Sequence, residues 1–166
     1  MTTSASPGLA RFNADRDRAA ELLHEVCAAR AWAAAVAAGR PYARLDDLLA
    51  ASDAAMAALT AADLREAVAG HPPIGRPTPG DAQSAREQGG VGGGERAELH
   101  RLNLAYEQAH GQVFLICATG RTGAEMLAAL KERIGNSAAA EREIVRAELG
   151  RINRIRLTRR IEEDPV

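Results

Sequence analysis

The sequence predicts an all-α protein, a single-domain bundle of about seven or eight helices with one long Pro/Gly-rich loop. Apolar residues recur at helical spacing along most of the chain, the pattern of amphipathic helices. Aromatic residues make up only 3% of the 166 residues, so Leu, Ile, Val and Ala must build the core, which favours packed helices over a β-sandwich. At this length one domain is expected, over residues 12–166, after a flexible tail over residues 1–11.

Three stretches before the loop predict helices. Residues 13–38 predict one or two helices, closed by the Gly and Pro of the sequence GRPY. A second amphipathic stretch covers residues 44–59, where leucines recur at helical spacing. Thr60 and Asp63 then form a capping-box pattern that opens a helix running to about Ala69.

Three further helices are predicted after the loop, over residues 95–110, 122–134 and 138–162. The second of them opens with another capping box, formed by Thr122 and Glu125. Between the first two lies the apolar run QVFLICATG, which we expect to be extended or deeply buried.

The loop between His71 and Gly94 breaks this helical pattern. A structureless run of more than about 15 residues is uncommon in a compact domain unless it is functional or disordered. Its GGVGGG segment has no G-K-[ST] and follows no predicted strand, so it indicates a flexible connector and not a phosphate-binding loop. We expect this loop to belong to the active site.

His71 follows a predicted helix and precedes two prolines. In one interpretation its imidazole is only a polar cap for the last carbonyls of that helix. In the other, Pro72 excludes His71 from the α region and fixes its exit angle, which suits a proton-transfer group with a pKa near neutrality. The sequence SAREQ supports the second interpretation, because Glu87 offers a carboxylate partner and Ser84 and Gln88 offer hydrogen-bonding groups. Without His71, the same sequence indicates a solvated helical turn.

Composition argues against several other partners. Basic and acidic residues number 21 and 22, so no net charge attracts nucleic acid or a membrane surface, and no apolar run predicts a membrane-spanning helix. Cys27 and Cys117 match no metal or redox spacing, and the histidines form no H-x-x-H pair, so we predict no metal site. The expected partner is a small molecule, and the expected compartment is the cytoplasm.

Five motifs, taken in order, resemble the family of 2-oxo-4-hydroxy-4-carboxy-5-ureidoimidazoline (OHCU) decarboxylases. They are H-P-x-I-G at 71–75, S-x-x-E-Q at 84–88, N-x-x-Y at 103–106, VFLICATGR at 113–121 and I-x-x-x-R-L at 152–157. The early Phe12, Asn13 and Trp32 fit the same pattern. Each motif alone is weak, but their order and spacing over nearly the whole chain make the resemblance specific.

The resemblance implies an all-helical, usually dimeric enzyme of uric acid catabolism that works without a metal or an organic cofactor. It would decarboxylate OHCU to (S)-allantoin, with His71 as the acid/base residue and Glu87 as its partner. The implied substrate contacts are Pro72, Ser84, Gln88, Arg156 and the backbone of Leu115, Ile116, Cys117 and Ala118. Arg154 and Arg160 lie at nearby helical positions and are alternatives to Arg156.

Two other functions remain open at this stage. A non-catalytic helical interaction domain would explain the loop and the arginine-rich last helix, but not the polar set formed by His71, Ser84, Glu87 and Gln88. A lyase or hydrolase of the same fold could instead act on another ureide without a cofactor.

Overall fold

The computed structural model of the protein describes residues 6–74 and 93–163. Within these ranges the chain forms eight α-helices and no strand, which confirms the predicted all-α fold. The helices are α1 Pro7–Ala14, α2 Arg16–Val26, α3 Arg30–Ala38, α4 Leu45–Ala57, α5 Ala61–Ala69, α6 Gly93–His110, α7 Gly123–Ile134 and α8 Ala138–Glu162. None of the helices in the described ranges is both long and apolar enough to cross a membrane.

Both capping boxes predicted from the sequence are present. At the start of α5, the Thr60 amide donates to Asp63 Oδ2 at 2.8 Å, and the Asp63 amide donates to Thr60 Oγ1 at 3.2 Å. At the start of α7, the Thr122 amide donates to Glu125 Oε2 at 3.0 Å, and the Glu125 amide donates to Thr122 Oγ1 at 3.1 Å. These bonds satisfy N–H groups that the first helical turn leaves without backbone partners, and they fix where each helix begins.

The chain divides into two compact units, one of Met1–Ala67 with Gly150–Val166 and the other of Val68–Leu149. In the first unit, α2 packs against α1 and α3, and α3 packs against α4. The Trp32 indole is fully buried there and donates its N–H to Ser52 Oγ at 3.2 Å. Other large side chains that are fully buried in this unit are Leu9, Phe12, Leu23, Leu48 and Leu157.

The first helix corrects the predicted flexible tail over residues 1–11, because α1 begins at Pro7. Ser6 Oγ caps the helix by accepting from the Leu9 amide at 3.4 Å, and Pro7 occupies a first-turn position that suits proline. Leu9 and Phe12 lie one turn apart and are both buried. This buried face holds the segment in the folded unit, so residues 7–11 are part of the fold.

In the second unit, α6 packs against α7 around an apolar cluster. The Tyr106 and Phe114 rings meet edge-on inside it, with 5.3 Å between centroids. Its buried members are Ile74, Leu99, Leu102, Tyr106, Phe114, Ile116, Ala118, Met126, Leu127 and Leu130. Ile74 belongs to the H-P-x-I-G motif that begins at His71, and Ile116 lies in the apolar run, so the cluster brings two of the predicted site segments into one core.

Candidate active site

His71 lies two residues beyond the last residue of α5. Its amide donates to the Val68 carbonyl at 3.0 Å, which continues the helix by one tight turn. His71, Pro72 and Pro73 are half-buried, whereas Ile74 is buried in the apolar cluster. Because each proline ring fixes φ near −65°, the path from His71 to Ile74 has few free torsions. The imidazole is therefore attached to a short, stiff segment that reaches the core at Ile74.

A second anchor holds the far end of this segment. Asn103 on α6 is 4% exposed, and its side-chain NH2 donates to the Ile74 carbonyl at 3.1 Å. The turn at Val68 and the bond from Asn103 thus fix the His71–Ile74 segment on both sides of the prolines. This arrangement is more than a helix cap, since it ties the segment to a helix that lies about thirty residues further along the chain.

The apolar run between α6 and α7 is deeply buried, as predicted. Leu115, Ile116, Cys117 and Ala118 are each at most 5% exposed, and residues 113–118 form no helix or strand. Such a segment cannot satisfy its backbone groups through regular secondary structure, so side chains must do so. Arg133 Nη1 donates to the Leu115 carbonyl at 2.8 Å. The segment is thereby held from α7, beside the predicted substrate-binding backbone.

Glu148 on α8 holds the same segment at a second point. Its Oε2 accepts from the Cys117 amide at 2.9 Å, and its Oε1 pairs with Arg121 Nη2 at 3.2 Å. The carboxylate is buried, and bonds of this kind to a charged acceptor are stronger than neutral ones. The backbone around Ile116 is thus fixed on both sides by charged side chains.

The guanidinium of Arg133 belongs to a buried charged network. It pairs with Glu141 through Nε and Nη2 at 2.9 to 3.2 Å, and it lies 4.5 Å from the centroid of the Phe114 ring. Glu141 also accepts from the Tyr106 hydroxyl at 2.5 Å. Burial and the neighbouring carboxylate raise the pKa of Tyr106 to about 12. Burial opposes the charge on Glu141, but the bonds from Arg133 and Tyr106 outweigh it and lower the pKa of Glu141.

In the first unit, the three candidate arginines of α8 differ in environment. Arg154 and Arg160 are exposed and form surface ion pairs, Arg154 Nη1 with Asp53 Oδ2 at 2.6 Å and Arg160 with Glu25. Arg156 is 6% exposed, and its Nη1 donates to the Val26 carbonyl at 3.2 Å. A buried guanidinium is desolvated and therefore interacts more strongly with an anion than an exposed one does.

Cys27 lies close to Arg156 and Asn153 within the first unit. The thiol is 2% exposed, and burial raises its pKa, partly opposed by a hydrogen bond with Asn153 and by the charge of Arg156. Such a thiol is protonated and inert at neutral pH, as expected of a cysteine that packs as a small buried side chain. Among the described residues, no group of three or more His, Cys, Asp or Glu side chains could hold a metal ion.

The predicted site residues fall into three groups. His71 and Pro72 lie in the same unit as Leu115–Ala118, and their segments share the apolar cluster. Arg156 belongs to the other unit and is described only within it. Ser84, Glu87 and Gln88 lie outside the described residues, so their approach to His71 stays a prediction.

Four buried side chains that hold the site segments, or support those that do, were not predicted from the sequence: Asn103, Arg133, Glu141 and Glu148. The signal was present in their positions, because each occupies an apolar position of its helix. Glu141 and Glu148, for example, share the face of α8 that buries Val145, Leu149 and Ile152. A charged residue on the buried face of a helix usually has a charged or backbone partner there, and here Glu141 has a charged partner and Glu148 has both.

Comparison with known proteins identifies the family. The family model described as OHCU decarboxylase matches residues 13–158. The chain belongs to the OHCU decarboxylase family. A relative from Amia calva, 2-oxo-4-hydroxy-4-carboxy-5-ureidoimidazoline decarboxylase, is 34% identical over 134 residues, which cover 75% of this chain and 77% of the relative. The uric acid degradation bifunctional protein TTL of Arabidopsis thaliana is 32% identical over 143 residues, 80% of this chain but only 44% of that protein.

Two solved structures share the fold. A crystal structure of OHCU decarboxylase in the presence of (S)-allantoin superposes with a TM-score of 0.75 at 28% identity, covering 84% of this chain and 96% of that chain. A crystal structure of (S)-allantoin synthase has a TM-score of 0.68 at 19% identity, covering 92% and 53%. The second likeness bears on the fold alone. The first, with the family model, confirms the resemblance seen in the motifs and places the chain among the carboxy-lyases.

Proposed function

We propose that this OHCU decarboxylase family member converts OHCU to (S)-allantoin in the degradation of uric acid, without a metal or an organic cofactor. The observation that carries the proposal is the family match over residues 13–158. The segment that carries His71 supports it, because hydrogen bonds hold the backbone of this half-buried residue at both ends within the second unit. An interaction domain needs no such arrangement.

The reaction suits a protein that provides only orientation and proton transfer. In OHCU the carboxylate is attached to a carbon next to a C=N group. When the C–C bond to the carboxylate breaks, CO2 leaves and the electron pair delocalises towards that group. No external electron sink is needed, so the protein has to orient the carboxylate, stabilise the enolate-like charge and deliver a proton to one face.

The proposed roles follow the chain. His71 handles the proton, and Glu87 orients its imidazole and stabilises the charged form. Ser84 and Gln88 contact the ureido and ring heteroatoms, and Pro72 forms part of the pocket wall. The backbone of residues 115–118 lines the ring of the substrate. The bonds from Arg133 and Glu148 support this last role, because a binding surface made of backbone has to be rigid.

Arg156 is the arginine we assign to an anionic oxygen of the substrate. Its burial supports the choice, since Arg154 and Arg160 are exposed and paired with Asp53 and Glu25. We also propose that residues 12–166, extended by α1 to Pro7, form a single domain, because one family model runs through both compact units. A cytoplasmic homodimer is the assembly and location that the family resemblance favours.

The test generates the unstable substrate in place. Urate oxidase and hydroxyisourate hydrolase convert urate to OHCU, and circular dichroism follows the appearance of optically active allantoin. We expect the purified chain to accelerate this signal strongly over a reaction that lacks it. A signal no faster than this control would favour the interaction domain, or a lyase that acts on another ureide.

A further inference from the structure

Asn103 combines two features that packing alone does not explain. It lies on the buried face of α6, one turn before Tyr106, and its side-chain NH2 donates to the Ile74 carbonyl at 3.1 Å. Its Oδ1 is buried and has no hydrogen-bond partner among the described residues. A buried acceptor without a partner destabilises a fold, which offsets the stability that the bond to the Ile74 carbonyl provides. Stability alone therefore gives asparagine little advantage at this position.

The two prolines leave the backbone of the His71–Ile74 segment few donors with which to fix itself, so a bond accepted by one of its carbonyls matters more. Pro72 and Pro73 have no N–H to donate, and the His71 amide already binds the Val68 carbonyl. With φ fixed at both prolines, the position of the Ile74 carbonyl largely determines the course of the chain back to His71. The bond that the Ile74 carbonyl accepts from Asn103 therefore controls the direction in which the His71 imidazole leaves the backbone.

We infer that Asn103 is a positioning residue for His71. It holds the backbone that carries the imidazole and does not itself contact the substrate. The role rests on the proposed function of His71 as the proton-transfer residue. Proton transfer requires a donor within hydrogen-bond reach of the reacting atom, and a displacement of about 1 Å can cost on the order of a hundredfold in rate.

The test uses two substitutions at Asn103 and one matched control. Asn103→Leu keeps the branched shape of the side chain and removes the donor. Asn103→Asp has a donor only while its carboxyl group is protonated. Thr122→Ala removes the side-chain cap of α7 in the same unit, so it destabilises the fold without touching the His71–Ile74 segment.

We expect Asn103→Leu to lower kcat about 10- to 100-fold while KM changes less than about threefold, because the proton donor is misplaced and the binding groups are kept. Thr122→Ala should keep the kcat of the wild type. Asn103→Asp should regain activity, relative to the wild type, as the pH falls and its carboxyl group becomes a donor. A merely structural role would lower the folded fraction and leave both kcat per folded molecule and the shape of the pH profile unchanged.

A measurement that needs no activity separates this inference from the proposed function. The chain has four histidines, and the ring resonance of His71 can be assigned by its loss in His71→Asn. Asn103→Leu should shift this resonance and leave that of His24 in place. If the leucine variant does not fold, Asn103→Asp at low and neutral pH makes the same comparison.

The outcomes are distinct. If the wild type is active and a folded Asn103 variant keeps both the kcat of the wild type and an unmoved His71 resonance, the positioning role alone is overturned. An inactive wild type would overturn the proposed function, and the His71 resonance would still decide whether Asn103 positions that side chain.

Discussion

Replacing Arg133 with methionine tests the buried network that holds the backbone at Leu115. The side chains of Arg133 and Glu141 are 6% and 3% exposed, so neither charge is solvated. Arg133→Met keeps most of the volume but, within the described part of the chain, leaves the Glu141 carboxylate with only the Tyr106 hydroxyl and the Asn136 side-chain amide as partners. It also removes the donor to the Leu115 carbonyl.

Arg133→Met should therefore lower the free energy of unfolding by a large amount. Breaking a buried ion pair by removing one partner costs about 3–5 kcal/mol, because the remaining charge is buried without compensation. Arg133→Met combined with Glu141→Gln should recover about 1–3 kcal/mol of that loss, since the amide is neutral and still bonds the Tyr106 hydroxyl. The double variant is therefore expected to be more stable than Arg133→Met alone.

Urea denaturation followed by circular dichroism measures these changes as free energies of unfolding. Lys131→Met provides the control on the same helix, because the Lys131–Glu98 pair spans 3.1 Å between side chains that are 57% and 39% exposed. Such a surface pair contributes about 1 kcal/mol or less. A loss in Arg133→Met no larger than in Lys131→Met, or a double variant less stable than Arg133→Met, would refute the reasoning.

Two further predictions concern Arg156 and Glu141. Arg156→Gln should raise KM for OHCU about tenfold or more. The control Arg154→Gln should leave KM within about twofold, because the Arg154 guanidinium already pairs with Asp53. The reverse result would move the substrate contact to Arg154. Since the pKa of Glu141 is lowered in the fold, its contribution to stability is present above the ordinary glutamate pKa and is lost as the pH falls through the lowered value. The free energy of unfolding should therefore decline more steeply between pH 6 and pH 3 in the wild type than in Glu141→Gln, and equal declines would contradict the assignment.

The helices were predictable where local sequence determines them. Thr60 with Asp63 and Thr122 with Glu125 are separated by three residues, so the bonds that start α5 and α7 can be read from the sequence. The first helix was missed because it is short and its stability comes from burying Leu9 and Phe12 in a core formed by later segments. Tertiary packing of this kind leaves little trace in a segment of eight residues.

In the candidate site, too, local features could be predicted from the sequence and long-range contacts could not. The place of His71 just past α5 could be predicted because the two prolines that follow it are adjacent in sequence, whereas its catalytic role stays a prediction. The partners of the side chains that fix the segments were not predictable, because Asn103 reaches Ile74 across 29 residues and Glu148 reaches Cys117 across 31. A charged or amide side chain on a helix is usually solvated, and only the packed structure shows which backbone group each of these side chains binds.

The rate at which His71→Asn produces optically active allantoin is the most direct test of the central claim, that this chain decarboxylates OHCU with His71 as its proton-transfer residue. Asparagine has a polarity similar to that of histidine, so the variant should stay folded, which circular dichroism checks. Asparagine cannot exchange a proton near neutral pH, so the proposed proton transfer is lost. We expect its signal to rise no faster than the reaction without enzyme, beside a strongly accelerated wild type. Turnover close to that of the wild type in folded His71→Asn would contradict the account.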